Sequence, residues 1–155
     1  MLLLILLFSG VAFAQKKVAD SLRRLIANES NDTSKIKLLI NLAFNTDSDV
    51  SVERACFRQV YNLSLKKHFL FGLAYYHYYE GIQLNEKRMF NESIEKYKAC
   101  IEELDSLHII QPFDSPLAVI RTIYNQAGKQ EEKFHYYTDK PVSYTHLTLP
   151  TKRIV

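Results

Sequence analysis

Apolar residues recur at helical spacing in almost every stretch of this chain, and no stretch shows the alternation of a β-strand. In the first such stretch, Val18, Leu22 and Leu25 fall on one face of a helix. Six further stretches follow, separated by polar or Pro-containing segments, and the last begins near Gln130. Gly and Pro number only four each in 155 residues, which favours helices over turn-rich β folds. The pattern predicts an all-α fold of antiparallel helix hairpins.

The first fourteen residues differ from the rest, because they form an uncharged apolar run that ends in Ala12-Phe13-Ala14. Small residues at positions 12 and 14 are typical of a signal-peptidase site. The run is also too short to span a bilayer comfortably. A buried N-terminal helix is the alternative, but it would normally carry a polar face. We therefore expect residues 1–14 to be a signal peptide cleaved after Ala14, with export to the periplasm or cell envelope. Residues 15–35 then form an N-terminal helix and turn.

The two cysteines, Cys56 and Cys100, both lie within helical patterns among apolar neighbours. A thiol in such a position behaves as a small hydrophobic group, so we expect two buried free thiols. An exported location would also permit a disulfide, and the sequence leaves their pairing open.

The most specific pattern in the chain is the spacing of small and aromatic residues in the fourth and fifth stretches. A glycine is followed by a leucine, a serine, a tyrosine and a cysteine, at the positions Gly81, Leu84, Ser93, Tyr97 and Cys100. This spacing resembles the tetratricopeptide repeat, in which small residues stand where paired helices cross and aromatic residues fill the gap to the next hairpin. The resemblance implies a short α-solenoid of about three hairpins over residues 36–140, the last of them incomplete.

The same spacing of small and aromatic residues, which we call the repeat frame, fits more loosely on either side of that central unit. Its equivalent points are Ala43, Gly81 and Arg121, which are 38 and 40 residues apart. The usual period is about 34 residues, so longer loops are expected between hairpins. In the third unit Arg121 and Lys133 stand where the frame has small residues. A generic helical bundle is the alternative architecture.

The chain also resembles exported bacterial repeat proteins, in which a signal peptide is followed by a helical array. In that group the array often precedes a transmembrane helix and a histidine-kinase or DNA-binding output domain. The resemblance implies that this chain is the sensory or scaffolding part of a larger signalling protein. Any membrane contact would then come through a missing downstream segment.

The ending differs from everything before it, since the residues after Lys140 have two prolines and no helical periodicity. The segment Val142–Val155 resembles translated adapter DNA from transposase-based sequencing libraries, and one reading frame of that adapter accounts for its residues. We therefore expect residues 141–155 to be an unstructured artefact and the native chain to be cut near Lys140.

Charge gives no indication of a nucleic-acid or membrane partner. The formal net charge is +3, but two of the 20 basic residues, Lys152 and Arg153, lie in the tail, which has no acidic residue. Without the tail, 18 basic residues stand against 17 acidic ones. Such a balance does not produce the basic field that nucleic acids require.

Sequence signatures of catalysis, cofactor binding or metal binding are not found. No His pair has ligand spacing, and His77 within "YYHYY" is expected to be a packed or partly exposed ring. The neighbouring pairs Glu102-Glu103 and Glu131-Glu132 point in different directions on a helix, so a solvated face explains them. We predict a non-enzymatic protein without cofactors.

The aromatic stretch "YYHYYEGIQLNE" is the candidate site. The resemblance places the inner, concave face of the array on the first helix of each hairpin, and so implies these inward-facing residues: Tyr75, Tyr78, Ile82, Asn85 and Glu86. Tyrosine offers contact area and a hydrogen-bonding tip, which suits peptide recognition. Asn85 would bind a peptide backbone, and Glu86 would favour a basic partner.

Three functions remain open on this evidence. The first is a protein- or peptide-binding module of a signalling protein. The second is a stand-alone periplasmic scaffold, and the third is a small-ligand or glycan-binding domain that uses the tyrosine cluster.

Overall fold

The computed structural model describes residues 16–45, 49–109 and 116–139, which form seven helices and no strand. The first, α1, covers residues 16–28. The others are α2 (Asp32–Asn45), α3 (Val50–Lys67), α4 (Leu70–Glu86), α5 (Phe90–Ser106), α6 (Pro116–Gln126) and α7 (Gln130–Asp139). The predicted signal peptide and the predicted adapter-derived tail lie outside the described residues.

The helices pack mainly on their neighbours in the chain, so that α2 with α3, α4 with α5 and α6 with α7 form hairpins. The first helix of one hairpin also touches the first helix of the next, because α2 contacts α4. Stacked hairpins with contacts of this kind are typical of helical-repeat solenoids. The predicted all-α fold of stacked hairpins is confirmed.

Four helices are followed by the same backbone geometry at intervals of 20 residues. One residue in each turn has a positive φ, namely 51° at His68, 60° at Arg88, 55° at His108 and 70° at Gly128. The next amide N–H then donates to a carbonyl oxygen five residues earlier, at 2.9–3.1 Å. This is the Schellman arrangement, which closes the carbonyl end of a helix and starts the chain back in the opposite direction.

The N-terminal helix shares its core with the first hairpin and α4. Ala19 and Leu22 of α1 are buried with side chains from α2, α3 and α4. The boundary predicted after residue 35 lies inside α2, because the helix begins at Asp32, four residues before the predicted start of the hairpins at residue 36. There the Asn31 Oδ1 atom accepts a hydrogen bond from the Ser34 amide at 3.0 Å. An asparagine at this position satisfies one N–H group that the helix itself leaves unpaired.

Helices α4 and α5 approach each other closely at Gly81. A Cβ atom added there would lie 2.9 Å from the Cε2 and Cζ atoms of Tyr97, whose ring is 1% exposed. The Ser93 hydroxyl donates to the Gly81 carbonyl oxygen at 2.7 Å. Cys100, one turn beyond Tyr97, is also buried and is a free thiol, as is Cys56. The small and aromatic residues of the sequence frame therefore do stand at a helix crossing, and both cysteines match the prediction of buried free thiols.

Candidate binding groove

A groove of about 670 Å3 lies between α2 and α4, and residues of α5 also line it. Its described lining residues are Lys37, Ile40, Asn41, Phe44, Asn45, Phe71, Tyr75, Tyr78, Cys100, Leu104, Ile109 and Pro116. Most of these side chains are apolar or aromatic, and the volume falls within the ~300–1,000 Å3 of ligand sites in proteins. We refer to this feature as the α2–α4 groove.

The α4 wall of the groove is aromatic. Phe71, Tyr75 and Tyr78 lie at helical spacing along it, and the ring centroids of Phe71 and Tyr75 are 4.8 Å apart. Partial burial raises the pKa of the Tyr75 hydroxyl above its usual value. This phenol is therefore neutral at physiological pH and presents an O–H donor beside an apolar ring.

The α2 wall contributes Phe44, which sequence reasoning missed as a site residue. Its side chain is 43% exposed although it sits among other rings. Its centroid lies 6.2 Å from that of Tyr75 and 6.3 Å from that of Tyr78, both edge to face. A third edge-to-face contact, at 5.5 Å, joins it to the fully buried Phe57. Phe44, Tyr75 and Tyr78 form what we call the aromatic cluster. The buried Phe57 ring supports it on the core side.

The amide and ammonium side chains of the described lining lie in one line on α2. Lys37, Asn41 and Asn45 are spaced four residues apart, so they follow one another along the helix. The Asn45 Nδ2 atom donates to the carbonyl oxygen of Asn41 at 2.9 Å and to its Oδ1 atom at 2.5 Å. The Lys37 Nζ atom lies 5.9 Å from the centroid of the Phe71 ring, on the opposite wall. The groove therefore has an amide and ammonium side and an aromatic side.

Of the five residues predicted for the concave face, two belong to the described lining of the groove and three do not. Tyr75 and Tyr78 line the α2–α4 groove. Ile82 packs instead against the second core cluster, which includes residues of α5 and α6. Asn85 is partly buried, and its Oδ1 atom has no hydrogen-bond partner among the described residues. Glu86 is exposed at the end of α4. The last three lie outside the described lining of this groove.

A signal for the missed residues was present in the sequence. The repeat frame equates Ala43 with Gly81, a shift of 38 residues, and the same shift equates Lys37 with Tyr75 and Ile40 with Tyr78. Both pairs line the groove. Applying the concave-face positions to the first hairpin as well as to the second would have identified the α2 wall.

A separate polar cluster joins α4 to α5 outside the groove. The His77 Nδ1 atom is 2.9 Å from Glu103 Oε2, and the Lys96 Nζ atom is 2.7 Å from Glu80 Oε2. Glu103 is thus tied to a neighbouring helix, which differs from the solvated face expected for it. No set of three or more His, Cys, Asp or Glu side chains suited to a metal ion occurs within the described residues.

The Cys100 thiol lies beneath the groove and is almost completely buried. Burial raises its pKa to about 12, and the nearby Glu103 carboxylate acts in the same direction. The thiolate, which is the nucleophilic form, is therefore scarce at neutral pH. Cys100 therefore contributes a neutral, buried thiol to the lining of the groove.

No helix in the described part of the chain is both long and apolar enough to cross a bilayer. Comparison of the chain with protein-family models, with curated proteins and with solved structures gives no match.

Proposed function

We propose that this chain is a non-enzymatic helical-repeat module of the tetratricopeptide type, which binds a protein or peptide segment in the α2–α4 groove. The observation that carries the proposal is the aromatic cluster, in which Phe44 remains 43% exposed between Tyr75 and Tyr78. Aromatic residues of this kind are the commonest anchors of protein interfaces, because a rigid ring buries a large area at small entropic cost.

The repeat register supports the same proposal. Two pairs of residues related by 38 positions line the groove, and the small residues of the frame stand at the α4–α5 crossing. Extended concave surfaces built from successive first helices are what helical repeats use for partner recognition.

The proposed setting is the cell envelope, where this chain would act as the sensory or scaffolding part of a larger bacterial signalling protein. The support is the signal-peptide-like run of residues 1–14 and the resemblance to exported repeat proteins. Long-read sequencing of the native gene across the Lys140 codon tests it. Continuation into a transmembrane helix and an output domain is expected, whereas a stop after one further helix would leave a free scaffold.

Binding itself is tested by selecting random peptides displayed on phage against the immobilised protein. We expect enriched peptides to lose about tenfold or more in affinity to the Phe44→Ala variant, as removal of an interface anchor usually does. Phe134→Ala is the matched control, because Phe134 is 65% exposed and does not line the groove. Circular dichroism checks that both variants are folded. If no peptide is enriched, or if binding depends on Phe134 and not on Phe44, the proposal is wrong.

A small ligand such as a glycan is the second candidate, and the groove volume of about 670 Å3 favours it. Its test is a panel of soluble sugars at millimolar concentration, followed by tyrosine fluorescence. A sugar that shifts the fluorescence of the wild type but not of Phe44→Ala would support this candidate over peptide binding.

A further inference from the structure

The described lining of the α2–α4 groove has one source of formal charge. Lys37 is the single charged side chain among the described residues that line it. It is exposed, and in the part of the chain that the structure describes it has no salt bridge. Its only described contact is with the face of the Phe71 ring, 5.9 Å away. An unpaired ammonium beside an apolar surface attracts an anionic group of a ligand.

Among the described residues, three carboxylates on α2, α4 and α5 are already paired with other groups. Asp32 is bonded to Lys67 at 3.0 Å, while Glu80 and Glu103 are bonded to groups on α4 and α5 outside the groove. Glu86, which the sequence suggested as a determinant for a basic partner, is not in the described lining. The charge that the described lining residues offer to a ligand is therefore positive, whereas Glu86 suggested a basic partner.

The distance between the charge and the aromatic cluster limits the ligand further. Lys37 and Phe44 are seven residues apart on α2, which at the helical rise is about 10 Å along the groove. An extended peptide covers that distance in about three residues. Asn41 lies between them and offers an amide to the peptide backbone.

We infer that the α2–α4 groove selects a peptide segment in which an acidic side chain stands about three residues from an apolar or aromatic one. The apolar side chain enters the aromatic cluster, and the side-chain carboxylate pairs with Lys37. This inference rests on the proposed function and specifies the chemistry of the partner.

The test repeats the phage selection with the wild type and with Lys37→Glu. In the wild type, Asp and Glu should be enriched about three residues from the apolar anchor. Lys37→Glu should replace them with Lys and Arg and weaken the wild-type peptides about tenfold or more, since an attraction becomes a repulsion. Lys35→Glu is the matched control, because it changes the net charge equally on the same helix but does not line the groove. It should leave the selection unchanged.

The outcomes separate this inference from the proposed function. If peptides are enriched and depend on Phe44, but show no acidic preference or keep it in Lys37→Glu, the inference is wrong while peptide binding stands. If no peptide depends on Phe44, both are wrong. Synthetic versions of the selected peptides with a free or an amidated C-terminus should bind equally. Loss of binding on amidation would assign the carboxylate to a chain end and overturn the side-chain assignment.

Discussion

The sequence frame aligns the second and third hairpins with each other, but the two pack very differently. Tyr97 of α5 and Tyr137 of α7 are equivalent residues 40 positions apart. Tyr97 is 1% exposed and lies against Gly81, whereas Tyr137 is half-buried and donates its hydroxyl to the Leu117 carbonyl oxygen at 2.5 Å. Among its described side chains α7 has no fully buried residue, and Phe134 is 65% exposed.

The difference shows what the small residues of the frame contribute. In the second hairpin Gly81 lets the helices approach closely, and the Ser93 hydroxyl bonds directly to its carbonyl oxygen. In the third hairpin, exposed Arg121 and half-buried Lys133 take those two places, and the Lys133 ammonium donates to Asn125 within the same hairpin. Long side chains cannot occupy a close crossing, so that hairpin buries less surface.

The largest expected difference is between the two tyrosines. Tyr97→Ala should lower the free energy of unfolding by about 3–5 kcal/mol, because it leaves a cavity in a packed interface. Tyr137→Ala, at a half-buried site, should cost about 1–2 kcal/mol. Urea unfolding followed by circular dichroism measures both, and amide hydrogen exchange shows whether the second loss is confined to α6 and α7. Equal costs would mean that the two hairpins are packed alike.

A smaller effect is expected at the residues that define each crossing. Gly81→Ala places a Cβ against the buried Tyr97 ring, which costs about 1–3 kcal/mol and is only partly offset by the better helix propensity of alanine. Arg121→Ala should change stability by about 0.5 kcal/mol or less, because Arg121 is exposed. The same unfolding measurement applies. In a Tyr97→Leu background the cost of Gly81→Ala should shrink, and a cost that persists would show that ring contact is not its cause.

The smallest effect concerns the turns that close the two hairpins. Arg88 and Gly128 occupy equivalent positions with φ of 60° and 70°, a region that penalises a side chain. Arg88→Gly should therefore stabilise the chain, and Gly128→Ala should destabilise it, each by about 1 kcal/mol. A Cβ at Gly128 meets nothing within 4 Å, so the backbone alone is tested. Thermal unfolding that moves in the same direction for both variants would contradict this interpretation.

Local patterns in the sequence predicted the helices and the α4–α5 crossing well. Gly81 and Tyr97 lie in one hairpin, whose two helices are joined by a short turn. Their spacing in the sequence therefore largely determines that the two residues meet in the structure. Positive φ at His68, Arg88 and His108 was not predictable in this way. None of these residues has the permissive backbone of glycine, and all three are exposed, but the backbone hydrogen bonds that close each helix accompany that conformation.

The groove was harder to predict because it joins different hairpins. Tyr75 and Tyr78 were identified from their own helix, but Phe44 and Lys37 become site residues only when α2 lies beside α4. The same limit applied to His77 and Glu103, which are 26 residues apart and meet through the packing of α4 on α5. Contacts of this kind depend on how the side chains of two helices interlock where the helices pack. The apolar pattern of one helix does not predict that packing.

The regular 20-residue interval between turns would limit the length of a peptide bound as proposed here. Helices α4 and α5 each contain 17 residues, which corresponds to a height of about 25 Å. An extended peptide lying along such a helix is covered over about seven residues before it leaves the edge of the stack. A longer footprint therefore requires more hairpins side by side, so this architecture enlarges its contact area by adding repeats and not by lengthening its helices.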